Sequence, residues 1–278
     1  MVYCRMENIL EKISETSTFL KDRGFGDADV AVVLGSGLGA FVNLLDGAWA
    51  IPYSIIPHFP VATVEFHKGQ LIVGHIGDKK VIAMQGRFHF YEGYSMQEIT
   101  FPVRVFKSLG VKNLLLSNAA GGMNPEYKKG DLIILDDHIN NLPENPLRGL
   151  NNPAFGNRFV DMSRPYSLAL NDAIAAAAAV LGKTIKTGVY IAVPGPNLET
   201  RAEYRQLRGI GADMVGMSTV PEVIVANHMG LPCAAVSVIT DECDPDNLQP
   251  VNISEIIEVA GKADEGLSRI FEKMIRGL

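Results

Sequence analysis

The feature that most constrains this chain is a repeated junction: a short, continuous apolar run that stops dead at glycine or a small polar cluster. Asp29–Leu34 runs into Gly35-Ser36-Gly37, and Lys80–Met84 runs into Gln85-Gly86-Arg87. Lys112–Ser117 meets Asn118-Ala-Ala-Gly-Gly122, Thr187–Val193 meets Pro194-Gly195, and Cys233–Ile239 meets Thr240-Asp241-Glu242. Unbroken apolar runs of this length, closed by turn residues, are strands covered on both faces. Gln70–Ile76 and Lys80–Met84 flank Gly77-Asp78 and read as a tight hairpin. Asp131–Leu135 is a further strand. Between these lie helical patterns at Asn8–Lys21, Ile99–Leu109, Ser167–Leu181, Thr200–Leu207, Val220–Met229 and Ile253–Arg276. Strands alternating with helices predict one α/β domain over residues 1–278, with a central mixed sheet flanked by helices.

The composition fits a large core. Of 278 residues 47% are apolar, and disorder is excluded because it needs low hydrophobicity and high net charge. The net charge of −6 makes nucleic acid a poor partner, so any phosphate-bearing ligand must be met by a local site. The odd set Cys4, Cys233 and Cys243, with no Cys-x-x-Cys pair, predicts a reducing, cytoplasmic setting. No apolar run near the N-terminus reads as a signal peptide, and none elsewhere reaches the ~18 residues of a membrane span, so no membrane partner is expected.

The strand ends carry the chemistry. Gly35-Ser36-Gly37-Leu38-Gly39-Ala40 fits the dinucleotide pattern, yet Trp49–Pro60, where a second central strand is required, holds three prolines. The same turn reads as a cradle for one phosphate, using the Ser36 hydroxyl and backbone N–H groups, or as a plain tight turn. Gly86–Tyr94 crowds Arg87, His89, Tyr91 and Glu92 at a strand end. Arg87 can grip a phosphate with two prongs and His89 adds a donor. Ser117–Gly122 either lets a ligand approach the backbone or makes a tight strand-to-helix turn. Pro194–Thr200 offers Glu199 as an acceptor for ring N–H groups, on what is otherwise a rigid turn. Met217, in Val215–Glu222, is equally explained by core packing. Asn140–Arg164 is a long, aperiodic stretch with Phe155 and Phe159, the kind of loop that serves function. Asp136-Asp137-His138 has ligand chemistry, but no supporting cluster, so no metal site is expected. No Gly-x-Ser-x-Gly elbow occurs, and Cys233 reads as an inert core thiol.

In order, Leu34-Gly-Ser-Gly-Leu-Gly39, Gly86-Arg-Phe-His-Phe-Tyr-Glu-Gly-Tyr94, Ser117-Asn-Ala-Ala-Gly-Gly122, Gly195-Pro-Asn-Leu-Glu-Thr200 and Gly216-Met-Ser-Thr-Val-Pro-Glu-Val223 resemble the nucleoside phosphorylase family, in its trimeric purine nucleoside branch. The resemblance spans essentially the whole chain. It implies a pentosyltransferase of purine salvage: a purine (deoxy)ribonucleoside and phosphate give free base and (deoxy)ribose 1-phosphate, with no metal or organic cofactor. It implies a phosphate site of Ser36, His67, Arg87, His89, the Ala119 N–H and Ser218. Tyr91 and Met217 would meet the ribose, Glu199 the purine ring, and Asn118 and Val215 the base pocket. Phe159 would reach a neighbouring subunit's site, which implies a homotrimer. His89, Glu199 and Asp241 are the expected catalytic groups.

Three positions depart from the familiar pattern of that branch. Asp241 stands where asparagine is usual, Leu198 where an aromatic is usual, and Ile253 where histidine is usual. An asparagine amide donates to a 6-oxopurine, whereas an ionised aspartate only accepts. Asp241 therefore predicts adenosine as a substrate beside inosine and guanosine. Ile253 near the sugar 5′ position would tolerate a methylthio group, which makes a 5′-methylthioadenosine phosphorylase the second reading. Outside this class stand a dinucleotide-dependent oxidoreductase, which would retain NAD, and a non-catalytic nucleoside-binding protein, which would show no phosphate-dependent turnover.

Overall fold

The computed structural model describes residues 2–63 and 68–278. Among them the strands are β1 (Val30–Leu34), β2 (Asp46–Pro52), β3 (Gln70–Ile76), β4 (Lys79–Gln85), β5 (Asn113–Gly122), β6 (Leu132–Asn140), β7 (Lys186–Ala192), β8 (Met214–Gly216) and β9 (Cys233–Glu242). The α-helices are α1 (Val2–Lys21), α2 (Met96–Ser108), α3 (Leu168–Val180), α4 (Arg201–Gly209), α5 (Val220–His228) and α6 (Ile253–Arg276).

The strands form one mixed sheet in the order β2-β3-β4-β1-β5-β8-β7-β6-β9. Because β5 also pairs with β9 in parallel, strands β5, β8, β7, β6 and β9 close on themselves. β1 lies parallel between β4 and β5, and all five of its residues are buried, as its unbroken apolar run requires. The alternation of a strand sends Ala31 and Val33 to one face and Val30, Val32 and Leu34 to the other. On the first face they join Ile13 and Leu20 of α1, Val103 and Phe106 of α2, and Val223 of α5. On the second they join Ile174 of α3 and Leu267, Ile270 and Phe271 of α6. Helices thus flank both faces.

Some elements match the sequence expectation, and others differ from it where pairing with neighbouring strands decides the outcome. The first helix starts at Val2, ahead of Asn8. The hairpin around Gly77-Asp78 pairs Gln70 with Gln85 through Ile76 with Lys79. The segment after the glycine turn is no central strand: β2 sits at the sheet's edge, antiparallel to β3, and ends at Pro52. Among the described residues no α-helix lies between β1 and its parallel neighbour β4, so the βαβ unit that a dinucleotide fold needs is missing there. Asn118–Gly122 is not a turn. β5 runs straight through it, because β9 continues alongside as far as Glu242. β6 likewise continues through Asp136-Asp137-His138 to Asn140, held by β7. The three-residue β8 carries no periodicity of its own and exists because β5 and β7 flank it. Among the described residues no helix is long and apolar enough to cross a membrane.

Candidate active site

A single cavity gathers the ends of these strands. Its lining includes Ser36, Arg87, His89, Tyr91, Asn118, Ala119, Leu198, Glu199, Val215, Met217, Ser218 and Asp241. Residues separated by two hundred positions in the chain meet there because β1, β4, β5 and β9 run parallel and end on the same side, while the short β8 runs antiparallel beside the end of β5.

The glycine turn after β1 is clamped from both sides. The Gly35 N–H donates to the Ser117 hydroxyl of β5 at 3.2 Å. Gly37 has φ +74°, and a Cβ there would lie 2.9 Å from the Cβ of Ala260 on α6. Only glycine fits both the conformation and the space. The Ala40 N–H donates to the buried Asp264 carboxylate of α6 at 2.5 Å, and the Ser268 hydroxyl donates to the same carboxylate at 3.0 Å. Burial pushes the Asp264 carboxyl above its ordinary value, against the pull of these donors.

Arg87, at the end of β4, is 2% exposed. Its Nε and Nη2 both donate to Glu222 Oε1 of α5, at 3.1 and 2.9 Å. Its Nη1 donates to the Ser117 carbonyl at 2.7 Å and to Ser218 Oγ at 3.3 Å. The two-pronged edge expected for a ligand is thus turned onto Glu222, and the Nη1 edge reaches Ser218. The physical reason is burial: a guanidinium this deep requires an ionic partner. Ser218 leads into a strained link. Thr219, fully buried, has φ +68° and ψ −52°, with the Val220 N–H bonded to the Ser218 carbonyl at 2.7 Å. This positive-φ γ-turn is rare for a β-branched residue and persists only where the surroundings impose it. Asn118 supplies part of that hold. Its Nδ2 donates to Thr219 Oγ1 at 3.0 Å, and its Oδ1 accepts from Ser237 Oγ at 2.7 Å.

His89 follows in the same turn. Its Nδ1 meets Glu92 Oε1 at 2.8 Å, and its ring stacks on Tyr91 with centroids 4.7 Å apart. Burial pushes its pKa below the ordinary histidine value, although Glu92 pulls the other way, so the ring is neutral at pH 7. Glu92 also accepts the His89 N–H at 2.8 Å, the Thr63 N–H at 3.1 Å and the Thr63 hydroxyl. Burial works to raise the Glu92 carboxyl, but the His89 and Thr63 bonds prevail and hold it at about 2.

At the other end of the cavity stand two carboxylates. Glu199 precedes α4, whose N-cap Thr200 exchanges hydrogen bonds with Glu203 in a capping box. Burial raises the Glu199 carboxyl, and Asp241 nearby adds to the rise. Asp241 Oδ1 accepts the Thr240 hydroxyl at 2.8 Å, and Oδ2 accepts the Cys243 thiol at 3.1 Å.

Three expected residues are not in this group. His67 lies outside the described residues. Ile253 is 52% exposed on the first turn of α6 and does not line the cavity; Ile256, about one helical turn further on, does. Phe159 is 88% exposed on the aperiodic segment after β6, beside Arg158 and Ile224 and away from the cavity. Conversely, sequence reasoning assigned no role to Glu222, Glu92, Tyr204 or Asp264. Glu92 and Glu222 fall inside quoted motifs. Tyr204 and Asp264 gave no signal: Asp264 meets the glycine turn from far along the chain, and Tyr204 falls outside every quoted motif. Asp136 and Asp137 are exposed, and His138 contacts the Tyr166 hydroxyl at 3.1 Å. Among the described residues no three His, Cys, Asp or Glu side chains are disposed to hold a metal ion.

The profile of the phosphorylase superfamily matches residues 29–276. Purine nucleoside phosphorylase 1 of Geobacillus stearothermophilus is 46% identical over 266 residues, covering 96% of this chain and 97% of that protein. Purine nucleoside phosphorylase of Bos taurus is 42% identical over 276 residues, covering 96% and 95%. The crystal structure of Schistosoma mansoni purine nucleoside phosphorylase in complex with adenosine superposes with a TM-score of 0.90 at 38% identity, covering 96% of this chain and 97% of that one. Isoform 2 from the same organism, in complex with cytosine and ribose-1-phosphate, gives 0.91 at 39% identity, covering 96% of each chain.

Proposed function

The chain belongs to the phosphorylase superfamily, and on that premise we propose that it is a purine nucleoside phosphorylase. It carries out reversible phosphorolysis of purine nucleosides to free base and ribose 1-phosphate. The observation that carries this reading is the cavity itself: Arg87, His89 and Ser36 line it together with Glu199 and Asp241, so anion-binding groups and base-binding carboxylates share one space.

The chemistry follows from that pairing. A phosphate oxygen attacks C1′ of the ribose, the C1′–N9 bond breaks, and its electron pair passes to the purine. Ser36, Ser218, the Ala119 N–H and Arg87 through its Nη1 edge orient the phosphate. Neutral His89, with Nδ1–H on Glu92, offers Nε2 to the phosphate's own O–H. The phosphate's negative charge faces the oxocarbenium-like sugar as that charge develops. The leaving purine gains electron density and takes a proton from solvent at N7; Asp241 accepts the resulting N–H, and Glu199 accepts the N1–H of a 6-oxopurine. Tyr91 and Met217 bracket the ribose, and Asn118, Val215 and Leu198 shape the base pocket. The reaction written this way needs neither metal nor organic cofactor.

Asp241, as an acceptor, suits a 6-amino group, so adenosine is a substrate beside inosine and guanosine. Consistent with such breadth in the superfamily, the Schistosoma relative was crystallised with adenosine and with hypoxanthine. Exposed Phe159 is explained by a homotrimer in which it enters the neighbouring site. The buried, unpaired thiols of Cys233 and Cys243 suit the reducing cytoplasm.

The test is base release from inosine, guanosine, adenosine and 5′-methylthioadenosine, with and without phosphate. Phosphate-dependent release from the first three is expected. Release confined to methylthioadenosine would give the site to the second reading, and binding without release would make this a nucleoside-binding protein. Sedimentation at the mass of three chains is expected, and a monomer would remove the role given to Phe159.

A further inference from the structure

One cluster beside the cavity is unused by the mechanism above. Tyr204 of α4 and Cys243, just past β9, are 2% and 1% exposed. Between Ala120 and Gly121 the β5–β9 register shifts, so that Ile239 faces Ala120, Asp241 faces Gly121 and Thr240 is the extra residue. Bulges of this kind re-aim side chains beside functional sites. Beyond it Cys243 follows Asp241 by two positions, on the same side, and its thiol donates to Asp241 Oδ2 at 3.1 Å. Thr240 donates to the other oxygen at 2.8 Å. The arrangement is tight: a Cβ on Gly121 would lie 2.6 Å from Cys243 Sγ and 3.3 Å from Asp241 Oδ2. The Tyr204 hydroxyl faces both the Cys243 sulfur and the Glu199 carboxylate. Glu199 and Asp241, one before α4 and one on β9, are thus bridged by a phenol and a thiol.

We propose that Tyr204 and Cys243 are positioning residues for base recognition, fixing Asp241 as an acceptor and coupling it to Glu199, so that base selectivity belongs to the bridged set. This rests on the purine phosphorylase reading. Donation from Thr240 and Cys243 fixes the plane of the Asp241 carboxylate and leaves it lone pairs, but no proton, to present to the base. Burial, with Asp241 beside it, pushes the Cys243 thiol above its ordinary value, so it stays a neutral donor. Burial raises Glu199 and Tyr204 pulls it back, while Asp241 and Glu203 push it further up; Cys243 faces Asp241, Tyr204 and Glu199 and is uncharged.

The experiment compares wild type with Cys243→Ala, Cys243→Ser and Tyr204→Phe. The adenine-to-hypoxanthine affinity ratio is measured by calorimetry, and the pH profile of inosine phosphorolysis by base release. Loss of the thiol donor should weaken adenine relative to hypoxanthine about threefold to tenfold, the worth of one hydrogen bond from a weak thiol donor. Cys243→Ser, which keeps a donor and nearly the same volume, should restore the ratio to within about twofold. In Tyr204→Phe, Glu199 loses a donor to its charged form, so the acid limb of the profile should move to higher pH. An unchanged ratio in Cys243→Ala, an equal loss for both bases, or a stationary acid limb in Tyr204→Phe overturns the proposal. Wild-type protein without phosphate-dependent release would instead overturn the parent reading, and the binding ratios, which need no turnover, would still decide this one.

Discussion

The two ends of the cavity are built differently. At the Arg87 end, Arg87, Asn118 and Thr219 are almost fully buried; Arg87 is tied to Glu222 and Asn118 to Thr219 and Ser237 on other elements, and His89 to Glu92 within its own turn. At the Glu199 end, Leu198 is exposed, Glu199 and Asp241 are half-buried, and the side chains are carried by the loop before α4 and the last turn of β9. Phosphate is the same small anion in every turnover, so a rigid frame can be set for it in advance, at the cost of buried charges and a strained Thr219. Bases differ, and the end proposed to meet them is the one where single residues depart from the familiar pattern. The rigid frame belongs to the fold, and the open end to selectivity.

The largest way to break this contrast is Glu222→Ala. It leaves the Arg87 guanidinium buried without its ionic partner, and denaturant unfolding should register a loss of about 3–5 kcal/mol. If the loss is small, the frame is not held by that pair. At the open end, Asp241→Asn should leave stability nearly unchanged and move the adenosine-to-inosine ratio of kcat/KM toward inosine by about 10- to 100-fold, the range for a hydrogen bond to a charged group. Equal turnover of both nucleosides by that variant would remove Asp241 from base choice. Asp264→Ala strips acceptors from the glycine turn and should cost about 1–3 kcal/mol while raising the KM for phosphate through Ser36. Smallest is a pH effect. Glu92 is held at about 2 in the folded protein against an ordinary 4.5. Its contribution to stability is therefore complete above pH 4.5 and fades as the pH falls toward 2. Glu92→Gln should flatten that part of the stability curve, and an unaltered slope would show that the His89–Glu92 pair does not support the frame.

The same contrast governs what could be read from the sequence. The strand ends were legible, because apolar runs that stop at glycine have few folded solutions, and residues placed there converge once the strands run alongside one another. Met214–Gly216 was not, since three residues carry no period. Asn118–Gly122 read equally as a turn, because alanine and glycine are poor strand signals; only pairing with β9 makes it a strand. Glu222 and Asp264 were invisible as functional supports, since each is defined by a partner more than a hundred positions away. Ile253 lies one helical turn before Ile256, the α6 residue that lines the cavity, a separation that no pattern of apolar residues in α6 reveals.

The most direct measurement takes Ser218→Ala and Glu199→Gln through full two-substrate kinetics with inosine and phosphate. A site with two separate ends predicts that Ser218→Ala raises the KM for phosphate about tenfold with little change in nucleoside KM, as loss of one charge-assisted hydrogen bond implies. Glu199→Gln should lower kcat/KM for inosine and leave the phosphate KM in place. If both variants move the same substrate's constants, or if base release proceeds equally without phosphate, the division of the cavity into an anion end and a base end is wrong.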